Sequence, residues 1–278
     1  MNTKKKRILG IILILLVVLV ILVVFNIGVF TNVLTSFKSN ADISSSPPKW
    51  IFKPVLDHYI HVFSKGGYNF GKYLQNSVII AIISTLFATL VSIPAAYSIV
   101  RYHGFGEKIL GATMLLRLMP ALALAIPVFL IFNKFHLIDT RIAIIFMHTL
   151  FIIPTSLLLF IGYIQDLPVE IEEAAEIDGA NIIQMLTKVI IPVLRPGIAS
   201  TAILGFITSW NEYLFSGVLS FKNSVTATVG TSFFITSYQV EWGPMAAAIT
   251  ISSIPTVIFI FIAQKSLIRG MTAGSVKG

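Results

Sequence analysis

Apolar positions along this chain fall in six long runs, with most polar and charged residues confined between them. The runs are Ile8–Phe30, Leu74–Val100, Ile109–Phe132, Ile142–Tyr163, Ile198–Val218 and Met245–Ala263. A helix needs about 20 apolar residues to cross a hydrocarbon core of about 30 Å. Each run therefore predicts one spanning helix, in which every backbone polar group is satisfied within the segment. The expected fold is an all-α integral membrane protein with six transmembrane helices. Composition sharpens this by exclusion: the chain is 56% hydrophobic and 12% charged, whereas soluble domains carry about 25% charged residues. There is no Cys, which removes disulfides, thiolate metal sites and cysteine nucleophiles.

Charge placement suggests an orientation. Lys4-Lys5-Lys6-Arg7 precede the first run, as in a secretory signal, but that run is too long for a signal core and no small-x-small cleavage pattern follows. Residues 1–30 read as a basic cytoplasmic start and an uncleaved anchor. Residues 31–73 read as an extracytoplasmic loop, 74–263 as a core of five spanning helices that includes the loop 166–192, and 264–278 as a cytoplasmic tail. Both termini then lie inside, with 11 Lys and Arg inside, 8 outside and Arg117 within a span, a modest positive-inside bias. The net +8 reads as flanking charge on a helical bundle, not as a nucleic-acid surface. The segment Leu219–Pro244 is rich in aromatics and apolar enough to re-enter the membrane part-way.

Six of the 12 carboxylates lie between Asp166 and Asp178. A lipid-facing span cannot hold them, so residues 166–192 must form a water-exposed loop. Pro168 and the acids after it suit the start of a helix, and Gly179 suits its end. Ile171, Ala174 and Ala175 form a narrow apolar stripe. Asn181 and Gln184 have capping-box spacing and start a second short helix through Ile191, which Pro192 and Pro196 are expected to end. The expected product is a helix–turn–helix knob.

The spacing within this loop is specific. Glu173-Ala174-Ala175, three residues, Gly179, nine residues, then Val189-Ile190-Ile191-Pro192 resembles the EAA loop of ABC importer permeases. Asn76-Ser77, Ala95-Ala96-Tyr97, Trp210-Asn211-Glu212 and the tail Arg269–Gly278 resemble the carbohydrate branch, in particular its maltose-type second permease. The resemblance implies a non-catalytic subunit of an ATP-driven importer for a carbohydrate in a bacterial or archaeal cell membrane. It implies as partners a second homologous permease, a cytoplasmic ATPase dimer and an extracellular sugar-binding protein. No cofactor is expected on this chain; ATP and Mg belong to the partner ATPase. Glu173, Ala174, Ala175, Asp178, Gly179 and Pro192 would form the ATPase-coupling element, and Gly270, Gly274 and Lys277 an ATPase-contacting tail. The alternatives are a polyol or sugar-phosphate permease of the same type, or an ion-coupled secondary transporter. The latter is expected to show coupling-ion groups or paired broken helices.

Other candidates have two readings each. Arg117 and Glu212 are the clearest intramembrane charges, suited either to the translocation path or to a structural ion pair. Trp210 and Tyr213 could stack on a sugar ring and Asn211 could bond its hydroxyls, or all three could pack against the partner permease. Gly66–Lys72 has the glycine-lysine spacing of a phosphate loop, but Tyr73 stands where a Ser or Thr is needed. The five His residues are scattered, with His58 and His61 a weak pair.

Overall fold

The computed structural model describes the backbone of residues 3–64, 69–102 and 106–273, and their side chains except at 3–9, 106, 107, 109, 116, 117 and 263–273. The helices are α1 (Thr3–Ser36), α2 (Asn40–Ile43), α3 (Asp57–Phe63), α4 (Phe70–Tyr102), α5 (Gly106–Leu118), α6 (Ala121–Lys134) and α7 (Arg141–Gln165). They continue with α8 (Glu170–Ile177), α9 (Ile182–Gln184), a π-helical turn Met185–Ile190, α10 (Ile191–Val193), α11 (Arg195–Trp210), α12 (Leu214–Leu219), α13 (Ala227–Ser232) and α14 (Trp242–Ala273). Among the described residues the only extended pairing is a single antiparallel bridge, Ile235 to Val240. The fold is all-helical, as the apolar runs imply.

Four helical segments are each long and apolar enough to cross a membrane: Gly10–Ser36, Phe70–Tyr102, Arg141–Gln165 and Trp242–Ile262. Ile182–Val193 and Arg195–Trp210, bent by 80°, make a fifth if taken as one broken span. The third expected span is not one helix. Its run divides into α5 and α6 around Met119-Pro120, because proline has no N–H and biases the residue before it away from helical geometry. The fifth expected span also stops early, at Trp210, and α12 begins afresh at Leu214.

The chain divides into two compact units, residues 1–69 with 231–251 and residues 70–230 with 252–278. In the first, α1 exposes apolar side chains around its whole circumference from Ile11 to Phe30, the pattern of a helix meant for lipid. Its end is anchored: Asn32 Nδ2 donates to the Ala246 carbonyl (3.2 Å) and to Thr250 Oγ1 (3.1 Å). Ser36 Oγ and Tyr59 Oη lie 2.8 Å apart, and His58 Nε2 lies 2.8 Å from the Lys38 carbonyl. His58 is thus committed to the local fold, beneath Gly243.

In the second unit, α4 turns a face of small residues inward, with Ala81, Ser84, Thr85, Ala88, Ser92 and Ala96 buried. Such residues let helix backbones approach closely where lipid offers no hydrophobic drive. One apolar core gathers Ile80, Phe132, Ile144, Met147, Phe215 and Leu219. A second, around Ile93, Tyr97, Leu157, Phe160, Met185 and Ile190, lies under the candidate loop. The loop Phe221–Val225 is tied down by polar groups. Asn76 Nδ2 donates to the carbonyls of Asn223 (3.0 Å) and Val225 (2.8 Å), and Asn76 Oδ1 accepts from Arg141 Nε at 2.8 Å. Asp139, at φ 58°, accepts the backbone N–H groups of Phe221, Lys222, Asn223 and Ser224. Partial burial pushes the Asp139 carboxyl up, but these donors together outweigh it and hold the pKa at about 2.

Candidate functional site

The acidic segment folds by local rules. Glu170, Glu172 and Glu173 occupy the first turn of α8, where carboxylates complement the positive end of the helix dipole. At the other end Gly179 adopts φ 79°. Its N–H donates to the Glu176 carbonyl at 2.9 Å, and that of Ala180 to the Ala175 carbonyl at 3.0 Å. These two bonds make a Schellman termination, which glycine enters without a Cβ penalty. Asn181 then caps α9 reciprocally with Gln184: Asn181 N–H to Gln184 Oε1 is 3.0 Å, and Gln184 N–H to Asn181 Oδ1 is 2.9 Å.

Beyond α9 the expected arrangement changes. Pro192 and Pro196 do not end the second helix; they stand in the opening turns of α10 and α11, where a missing N–H costs nothing. Pro192 cannot donate to the carbonyl four residues back, and the chain opens into a π turn just before it. That turn buries Met185 and Ile190 in the core below.

One buried ion pair fixes α8 to the spanning helices. Arg101, in the last turn of α4, donates from Nε to Glu172 Oε1 (2.8 Å) and Oε2 (3.1 Å), and from Nη2 to Oε1 at 2.6 Å. The same Nη2 donates to the carbonyls of Ile164 (3.2 Å) and Leu167 (3.4 Å) at the end of α7. Tyr97 Oη donates to Glu172 Oε2 at 2.9 Å. The side chains of Glu172 and Arg101 are only 7% and 17% exposed. One guanidinium thus joins α4, α7 and α8, in the forked geometry that makes Arg–carboxylate pairs strong.

With Glu172 turned inward, Glu173, Ala174, Asp178 and Gly179 face outward, and Ala175 packs on the core. The outward surface carries Glu173, Glu176 and Asp178 beside Ile177, which is 86% exposed, and Ile183, 69% exposed. Acidic and apolar groups side by side on a rigid, short helix form a surface suited to another protein. Arg101, Tyr97 and Glu172 were not among the candidate residues. Glu172 stood out only as one acid of six, and its partner is 71 residues away in sequence.

The other candidates are placed differently. Trp210 is buried, stacked on Phe206, with its indole N–H donated to the Ser252 carbonyl at 2.9 Å, so it offers no free face to a sugar. Asn211 caps α11 and accepts from Thr256 Oγ1 at 3.4 Å. Glu212 accepts the N–H groups of Phe215 (2.8 Å) and Ser216 (2.9 Å), capping α12, and its Oε2 lies 3.0 Å from His148 Nε2. His148 Nδ1 is 2.6 Å from Ser209 Oγ. Glu212 is therefore the fastening of a helix break. Tyr213 is half-exposed beside it. The side chain of Arg117, Gly274 and Lys277 lie outside the described residues, as does part of the Gly66–Lys72 segment; Gly270 is placed by its backbone alone, near the end of α14.

Multiple helices long and apolar enough to span a membrane, helix breaks fastened by polar caps and a docked polar helix define a multi-pass membrane protein. The chain belongs to the family described as binding-protein-dependent transport system inner membrane component, whose model matches residues 88–273. It is 36% identical over 245 residues to the probable ABC transporter permease protein y4oR of Sinorhizobium fredii, covering 88% of each chain. It is 34% identical to the trehalose/maltose transport system permease protein MalG of Thermococcus litoralis, covering 88% of this chain and 89% of that one. The fold is similar to a chain in the crystal structure of a bacterial ABC transporter involved in import of the acidic polysaccharide alginate. That match has a TM-score of 0.75 and 23% identity, and covers 95% of this chain and 98% of the other. As a member of this family the chain is a non-catalytic membrane permease subunit of an ABC importer, and ATP hydrolysis resides on a separate protein.

Proposed function

We propose that this permease passes a carbohydrate across the cell membrane, and that α8 with its flanking turn is the element through which a partner ATPase drives it. Trehalose and maltose are named for relatives at 34% identity, which supports a sugar as substrate. The observation that carries the coupling role is the Arg101–Glu172 pair: it makes α8 an extension of α4 and α7, so a push on the exposed face reaches two spanning helices. Glu173, Ala174, Asp178 and Gly179 form that face, with Ala175 as its footing and Pro192 opening the return to the membrane. ATP and Mg are held by the ATPase dimer, a second homologous permease completes the pathway, and a binding protein delivers sugar from outside. Both termini lie in the cytoplasm in this arrangement. The Gly270–Lys277 tail also reaches the ATPase.

The test uses the transporter purified with its co-expressed subunits and reconstituted in liposomes. No Cβ at Gly179 would meet another atom within 4 Å, so a substitution acts through the left-handed φ alone, at about 1–2 kcal/mol. Gly179→Val is expected to lower sugar uptake per ATP hydrolysed, while Gly179→Asn, which tolerates that conformation, retains most of it. Equal coupling in both variants and in the parent would remove this turn from the mechanism.

A further inference from the structure

The first unit contains a cavity of about 530 Å³ bounded by the Ser39–Ser44 turn, α3 and the Gln239–Pro244 segment. That volume lies within the usual range for small-molecule sites, about 300–1,000 Å³. Its wall presents Asn40, Asp57, His61, Gln239, Glu241 and Trp242. Among the described residues the side chains of Asn40, Asp57, Gln239 and Trp242 have no hydrogen-bond partner, although each carries donors or acceptors. His61 Nε2 lies 3.5 Å from Glu241 Oε2, so α3 and the opposite segment meet through one polar contact. Trp242 is 57% exposed, leaving its indole open.

We infer that this cavity binds a neutral sugar of one or two rings. A pyranose has an apolar C–H face that packs on an indole, and an equator of hydroxyls that both donate and accept. Asp57 can accept from two neighbouring hydroxyls, while the Asn40 and Gln239 amides supply both kinds of partner. The walls carry two carboxylates and no Lys or Arg, so an anionic sugar is disfavoured. In the proposed topology the cavity faces outward, where sugar arrives before crossing. The inference rests on the carbohydrate reading above.

The assembled transporter, free of binding protein, would be titrated with maltose, trehalose and glucose, following saturation-transfer NMR and tryptophan emission, and the same sugars would be tested for uptake in liposomes with the binding protein added back. At least one transported sugar is expected to bind saturably. Asp57→Ala should weaken it about tenfold or more, and Trp242→Phe, which keeps an aromatic face, should stay within about threefold. Both variants are checked for co-purification of the other subunits. A transported sugar that binds the parent and Asp57→Ala equally, or gives no saturable signal, overturns the site and leaves the carbohydrate reading standing. If, with the binding protein present, none of these sugars nor any of a wider set of neutral mono-, di- and oligosaccharides is taken up, the carbohydrate reading is overturned, and the site with it.

Discussion

Replacing Glu172 by Gln, or Arg101 by Met, removes one charge of a buried pair and leaves the other without its counter-charge. Such truncations cost about 3–5 kcal/mol. Arg101 keeps the Ile164 and Leu167 carbonyls as acceptors and is 17% exposed, so the lower figure, about 3 kcal/mol, applies. At 1.4 kcal/mol per tenfold, the docked-to-undocked ratio of α8 falls about 150-fold. The rest of the second core is held together by α4, α7 and the π turn, so the loss is confined to α8 and does not unfold the unit. Hydrogen exchange of the Ala174–Asp178 amides in the assembled transporter reads this directly: about 100-fold faster exchange is expected in either single variant, with uptake per ATP falling in parallel. The double variant Arg101→Met/Glu172→Met leaves no orphan charge and should be less damaged than the two singles combined, a coupling of more than about 1 kcal/mol. Additive single effects, or parental exchange rates in both singles, would refute the idea that this pair holds the helix.

Two further expectations follow from the second unit. The folded-state pKa of Asp139 is depressed to about 2 from an ordinary 3.8, so its hold on the Phe221–Ser224 loop is complete above the unfolded value and fades as pH falls through the folded one. A carboxyl NMR titration should find its midpoint near 2, and Asp139→Ala should open the Lys222 bond to trypsin at neutral pH; an ordinary midpoint and unchanged digestion would show that the carboxylate does not hold the loop. At Gly230 a Cβ would run into the Tyr73 ring, so Gly230→Ala should destabilise by about 1–3 kcal/mol, and Tyr73→Leu should recover part of that loss. Thermal denaturation in detergent measures both, and an unaltered midpoint in Gly230→Ala would count against the close packing.

What was readable beforehand was whatever depends on neighbours in sequence. The Asn181–Gln184 cap and the Gly179 turn are set within three or four residues, and both have the geometry that their spacing implies. Prolines were less informative. Pro120 breaks a helix, whereas Pro94, Pro127, Pro154 and Pro255 sit inside helices, because surrounding helices and side chains can re-satisfy freed backbone groups in one place and not another. The resemblance named Glu173 of the EAA loop, but the acid that locks inward is its neighbour. Successive helix residues differ by about 100° in direction, so the choice between them depends on where α4 ends in space.

The sequence by itself determined that this chain is a bundle of membrane helices with one acidic, helix-forming loop outside the bilayer, since apolar run length and carboxylate solvation are properties of short segments. Tertiary structure alone decided which polar groups are available. Trp210 and Glu212 are occupied by the Ser252 carbonyl and the α12 N-terminus, Glu172 is consumed by Arg101, and Asn40, Asp57, Gln239 and Trp242 are left free around a cavity. The physical reason is that a hydrogen bond is satisfied by whichever donor or acceptor the fold brings within about 3 Å, and for Trp210 and Glu172 those partners lie 42 and 71 residues away in sequence.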